Sequence, residues 1–189
     1  MPETTSPSWD ALYATAKLQA GYFTTAQGAE AGYSPQLLYK HLKAGRIRRV
    51  RRGIYRLVHF PMSDEEHLAE YWLWAEQAGV FSHETALFHH DLSDILPKHV
   101  YLTVPEAWRW RRLRVPGLVL RYGRVPEADR TWLGPVPITK PTRAIRDVID
   151  TQLSPEHIER AIGDARHRGL ISRDEAGQLE ARLRESQRT

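Results

Sequence analysis

The 189 residues are 41% hydrophobic and 26% charged, an ordinary balance for a folded chain of one large domain or two small ones. Six Trp and eight Tyr argue against wholesale disorder, no apolar run approaches the roughly 18 residues of a membrane span, and Met1 to Asp10 has neither the basic nor the apolar region of a secretory signal. With no cysteine, disulfides, thiolate-bound zinc and thiol catalysis are excluded; a cytoplasmic protein without a membrane partner is expected, and its net charge of +4 conceals a strong asymmetry along the chain.

A first helix is predicted from Trp9 to Gln19, with Leu12 and Ala16 at helical spacing and Gly21 as its stop. Thr24 opens a short second helix, with Gln27 three residues on in capping-box register and Gly32 at the left-handed end. Ser34-Pro35 is an N-cap followed by proline at the first helical position, so a third helix should run to about Ala44, with Leu38 and Leu42 inward and Gly45 as terminator. Arg46 to Val50 and Ile54 to Leu57 then read as two short strands around Arg51-Arg52-Gly53. Three helices followed by a basic hairpin is the order of a winged helix-turn-helix.

Between Ala31 and Ser63 there is no Asp or Glu, while eight of the 27 Lys and Arg fall there; the rest of the chain holds 19 basic against 23 acidic residues, a balance of −4. Such a basic module joined to an acidic one suits contact with a polyanion. On the third helix Gln36, Tyr39, Lys40 and Lys43 are polar residues of the kind that read base edges in a major groove, and Arg46, Arg48, Arg49, Arg51 and Arg52 would lie along the phosphate backbone or enter a minor groove. The plainer alternative is a solvated basic surface, but such a face normally carries both signs of charge.

Phe60-Pro61 marks the expected boundary between a DNA-binding domain, residues 1–60, and a second domain, residues 64–189. Ser63 with Glu66 forms another capping-box pattern, opening a helix to about Gln77 with Leu68, Tyr71, Trp72 and Ala75 as its apolar stripe. Ser82 should cap a helix through His90. Strands follow at Val100 to Val104, Leu118 to Tyr122 and Val136 to Thr139, with a turn at Pro116-Gly117. Helices are expected at Pro141–Ile149, Pro155–Arg168 and Arg173–Glu185, with Ser172 and Glu175 as a further capping box. The fold class is α+β: a winged helix-turn-helix, then a small mixed sheet with several helices.

Several constellations invite chemistry without supporting it. His83, His89, His90, Asp91 and Asp94 lack convergent metal-ligand spacing, since neighbours on a helix point in different directions. Ser82-His83-Glu84 holds triad residue types, yet sequence neighbours make no relay, and Ser82 is better explained as a cap. Neither a P-loop nor a dinucleotide fingerprint occurs, so no catalytic residue, metal or cofactor is assigned. Trp108, Arg109, Trp110, Arg111 and Arg112 form a second basic cluster suited to a nucleic acid or an acidic partner face, or simply to arginine stems covering tryptophan rings. Arg143 and Asp147 are spaced for an i, i+4 ion pair, and Arg146 beside them joins the candidate partner-binding set.

Taken together, Gly21-Tyr22-Phe23-Thr24-Thr25-Ala26-Gln27, Ala31-Gly32-Tyr33-Ser34, Leu38-Tyr39-Lys40-His41-Leu42-Lys43-Ala44-Gly45-Arg46-Ile47 and Arg51-Arg52-Gly53-Ile54-Tyr55-Arg56-Leu57 resemble the N-terminal winged domain of the AbiEi antitoxins, from bacterial toxin–antitoxin systems usually called type IV. Weaker likeness continues through Phe81 to Leu87, Val100 to Pro105 and Ile138 to Asp147, so the resemblance spans about residues 18 to 175. It implies that the winged domain binds repeats in its own promoter and represses the operon, while the second domain opposes a nucleotidyltransferase-like toxin encoded next door. Some relatives carry a nuclease domain, but no acidic-plus-lysine nuclease signature follows Ser172. The alternatives are a plain winged-helix regulator without a toxin, and a nucleic-acid enzyme that uses the winged domain for targeting.

Overall fold

The computed structural model describes residues 6–94, 96–111, 114–151 and 153–188. They divide into two compact units, residues 1–77 with 134–136, and residues 78–133 with 137–189. The fold is α+β.

The first unit begins with α1, Trp9–Lys17, capped by the Ser8 hydroxyl, and it ends where Ala20 and Gly21 turn left-handed at φ 54° and 84°. A strand absent from the sequence expectations, β1 (Tyr22–Thr24), follows. Thr24 then caps α2, Thr25–Glu30, through the predicted capping box: its hydroxyl accepts from the Gln27 amide at 3.2 Å, and its own amide donates to Gln27 Oε1 at 2.9 Å. Ser34 and Pro35 start α3, Pro35–Lys43, as expected. The basic hairpin is β2 (Ile47–Arg51) and β3 (Ile54–Leu57), and the three strands form an antiparallel sheet in the order β1-β3-β2. The three helices and the basic hairpin follow in the order expected from the sequence. Leu12, Ala16, Phe23, Leu38, Ile47 and Leu57 make the core on one face of the sheet, each no more than 3% exposed.

The other face is covered by α4, Glu66–Trp74, which packs on β1 and β3. The expected boundary at Phe60-Pro61 therefore lies inside the first unit, which runs on to Gln77. The Ser63 capping box does not form: Glu66 turns instead to Arg56, and only the Ser63 carbonyl accepts from the Glu66 amide.

The second unit is built on β4 (Val80–Phe81), β5 (Val100–Val104), β6 (Leu118–Tyr122), β7 (Arg130–Leu133) and β8 (Val136–Thr139), in sheet order β6-β5-β4-β8-β7. β5 and β6 run parallel, so the turn at Pro116-Gly117 does not join a hairpin; the connection crosses over through a 3-10 segment, Glu106–Arg111. The helices are α5 (His83–His89), α6 (Pro141–Ile149), α7 (Pro155–His167) and α8 (Arg173–Ser186), with α6 packed among the other three. The three predicted strands and the last three helices lie within a residue of their expected bounds; the very short β4 and the polar β7 left no periodicity to read. Among the described residues no helix is long and apolar enough to cross a membrane.

Candidate nucleic-acid interface

Burying Leu38 against the core turns the opposite side of α3 outward, and Gln36, Tyr39, Lys40 and Lys43 all fall on it at i, i+3, i+4, i+7 spacing, each exposed. The Lys43 ammonium lies 5.5 Å from the centre of the Tyr39 ring. Beneath this stripe His41 is packed against Trp9 and Tyr33, with ring centres 5.5 and 5.4 Å away, and burial together with Arg46 and Lys40 holds its pKa below the usual histidine value.

The hairpin does not present its arginines as one set. Arg48 pairs with Arg56 and Arg49 with Tyr55, but Arg51 pairs with Ile54, so Val50 is an extra residue bulged out of β2. Side chains alternate along a strand, and one inserted residue reverses their sides beyond it. Arg49 therefore remains on the side of Ile47, Tyr55 and Leu57, whereas Arg51 joins Arg48 and Arg56 on the side covered by α4.

There α4 answers them with two carboxylates one turn apart. Arg56, only 3% exposed, donates to Glu66 at 2.6 Å and to the Phe60 and Pro61 carbonyls, and its guanidinium lies over the Tyr22 ring. Arg51 donates to Glu70 at 2.6 Å and lies over Tyr71, and Arg48 makes a looser pair with Glu66 at 3.8 Å. Arg46, Arg49 and Arg52 are exposed and have no carboxylate partner among the described residues. The expected basic face thus divides: Arg46, Arg49, Arg52, Lys40 and Lys43 are free to meet an anion, while Arg51 and, more loosely, Arg48 are held within the unit. Sequence spacing could not reveal this, because the acids lie beyond the acid-free window and reach the hairpin only through the packing of α4 on the sheet.

The second candidate cluster also divides. Trp108 is buried under the Arg111 guanidinium, 3.9 Å from its ring centre, which is the covering role set against partner binding. Arg109 pairs with Glu106 and lies over Tyr122, while Trp110 is 83% exposed. Arg112 lies outside the described residues. Arg143 makes the expected pair with Asp147 at 2.6 Å and a second with Asp129 at 3.3 Å; Arg146 has no carboxylate partner among the described residues.

Ser82 occupies the N-cap position of α5 without capping it. Its fully buried hydroxyl instead bonds Thr103 Oγ1 at 2.7 Å and His83 Nδ1 at 2.9 Å. His83 has a left-handed φ of 54° and stacks on Tyr101, and burial, with Arg121 and Arg143 nearby, lowers its pKa to about 4. His90 Nε2 lies 2.8 Å from the Thr139 carbonyl.

A helical unit with a three-stranded antiparallel sheet and an exposed polar helix, joined to a second α+β unit, is the class of protein that this geometry defines. Residues 10–58 match the model of a family described as "Transcriptional regulator, AbiEi antitoxin", so the likeness read from the motifs is shown over that segment. A solved structure, that of the RV2827C protein from Mycobacterium tuberculosis, aligns with 98% of this chain and 80% of its own at 15% identity and a TM-score of 0.44. No curated protein matches the chain.

Proposed function

We propose that the chain is a non-enzymatic DNA-binding repressor and antitoxin, which binds duplex repeats in its own promoter and counteracts a nucleotidyltransferase-like toxin. The observation that carries the DNA half is the outward stripe of α3, Gln36, Tyr39, Lys40 and Lys43, flanked in the same unit by unpaired Arg46, Arg49 and Arg52. A glutamine can pair with adenine and a lysine can donate to guanine, while arginines beside the groove hold phosphates. The family description of residues 10–58 supports both the regulator and the antitoxin reading. Opposition to the toxin is assigned to the second unit, with Trp110, Arg109 and Arg146 as its candidate contacts.

The test is gel retardation of the chain's own upstream DNA over a range of salt. Gln36→Ala or Lys40→Ala should cost about 1–3 kcal/mol on the operator and less on random duplex. Arg49→Ala with Arg52→Ala should weaken binding to every duplex and flatten the plot of log affinity against log salt by about 0.9 per lost phosphate contact. Arg51→Ala should leave that slope nearly unchanged, because its charge is spent on Glu70. Absence of retardation at low salt would refute the reading.

A further inference from the structure

The second unit contains a cavity of about 700 Å³, within the roughly 300–1,000 Å³ range of small-molecule sites. Five of its lining residues are arginines and two are aspartates. Three of the arginines are paired: Arg109 with Glu106, Arg143 with Asp147, and Arg182 with Asp150 at 2.7 Å. Arg121, on β6, and Arg146, on α6, have no carboxylate partner among the described residues, although Arg121 lies over the Tyr101 ring. Two guanidiniums without carboxylate partners, brought by different elements to one cavity, can hold an anion there, and their planar forks suit the oxygens of a phosphate.

A second observation narrows the ligand. Asp147 has a side chain only 10% exposed; its Oδ1 accepts from Arg143 at 2.6 Å, but its buried Oδ2 has no protein partner. An ionised carboxylate can only accept, so a partner for Oδ2 must bring a donor, and beside a phosphate that donor is a hydroxyl. Burial pushes the Asp147 carboxyl above the usual carboxylate range against the pull of Arg143. His83, kept neutral and held through Nδ1 by Ser82, also lines the cavity and offers its second ring nitrogen.

We propose that the cavity lined by Arg121, Arg143, Arg146, Asp147, His83 and Tyr122 binds a terminal phosphate monoester carried on a hydroxyl-bearing sugar. Arg121 and Arg146 hold the phosphate, and Asp147 Oδ2 accepts from a sugar hydroxyl. Two sources share this chemistry, a free nucleotide and the 5′-phosphorylated end of an RNA strand, whose terminal sugar keeps its 2′-hydroxyl. Both differ from the internal phosphodiesters that the first unit is proposed to meet, which carry one charge each and no adjacent free hydroxyl.

Calorimetric titration of the full chain tests this with inorganic phosphate, ribose, ribose 5-phosphate, adenosine monophosphate, and one oligoribonucleotide prepared with and without a 5′-phosphate. Ribose 5-phosphate should bind about tenfold or more tighter than either ribose or inorganic phosphate. Arg121→Ala and Arg146→Ala should each weaken it by about tenfold while the chain stays folded, since neither breaks an ion pair. Adenosine monophosphate binding at least as tightly as the phosphorylated oligonucleotide identifies the free nucleotide; the reverse order, with no binding of the 5′-hydroxyl strand, identifies the strand end. The proposal is overturned if no phosphate ester binds at millimolar concentration, if ribose 5-phosphate binds no better than inorganic phosphate, or if both arginine variants bind like the parent.

Discussion

Arg56 and Arg49 stand seven residues apart in the same acid-free window and have opposite fates. Arg56 is as hidden as a core leucine, its guanidinium donating to Glu66 and to the Leu57, Phe60 and Pro61 carbonyls; Arg49 stays in water. His83 shows the same dependence on surroundings. In the unfolded chain it takes up a proton near 6.5, but in the folded unit only near 4. The unfolded state therefore binds more protons between those values, so the stability contributed by neutral His83 is intact above about pH 6.5 and is lost as the pH falls toward 4. His41 and His90, also depressed, add to that acid limb. The shift corresponds to at most about 3 kcal/mol. His83→Gln should accordingly make the urea midpoint fall less between neutral pH and about pH 4.5 than it does in the parent chain; equal falls would show that His83 is not buried in its neutral form.

At the scale of elements, local chemistry was legible wherever an element is specified by its own residues. Thr24 with Gln27, Ser34 with Pro35, and Ser172 with Glu175 name their helix starts, and each forms as the spacing implies. The polar stripe of α3 follows from the same periodicity. Legibility failed where a distant partner outbid the neighbour: Glu66 leaves Ser63 for Arg56, and Ser82 gives its hydroxyl to Thr103 and His83 rather than to α5. β1 escaped notice because three residues show no period, and it exists only through its pairing with β3. A substitution pair separates the two cases. Ser172→Ala removes a hydroxyl that accepts from the Glu175 amide at 3.2 Å and should cost about 1 kcal/mol in chemical unfolding, whereas Ser63→Ala should change stability by less than about 0.5 kcal/mol. A loss at Ser63 as large as at Ser172 would show that the first capping box forms after all.

For the molecule as a whole, the sequence placed the change of character at Phe60-Pro61, because that is where basic residues give way to acidic ones. The compact unit extends to Gln77, since the first acidic helix is the lid on the basic sheet. Composition marks where charge changes, and packing marks where a folding unit closes. The proposed division of labour can be tested in a growth assay. Arg49→Glu with Arg52→Glu should abolish operator binding, because two attractive phosphate contacts become repulsive, while these exposed positions leave folding within about 0.5 kcal/mol each. Expressed from an independent promoter beside the toxin, the double variant should still rescue growth. Failure to rescue, with the protein folded and abundant, would place toxin opposition on the hairpin itself.

The bulge at Val50 makes strand register a form of addressing. Inserting one uncharged residue into β3 between Ile54 and Tyr55, opposite Val50, would restore regular pairing, leave every arginine in the chain and leave the isoelectric point unmoved. Arg51 would nevertheless swing to the side of Arg49, Glu70 would lose its partner, and the wing would gain a free cation. Two chains indistinguishable by charge could then differ in how many phosphates they grip, and their salt slopes would report a difference that no electrophoretic measurement of the free proteins could detect.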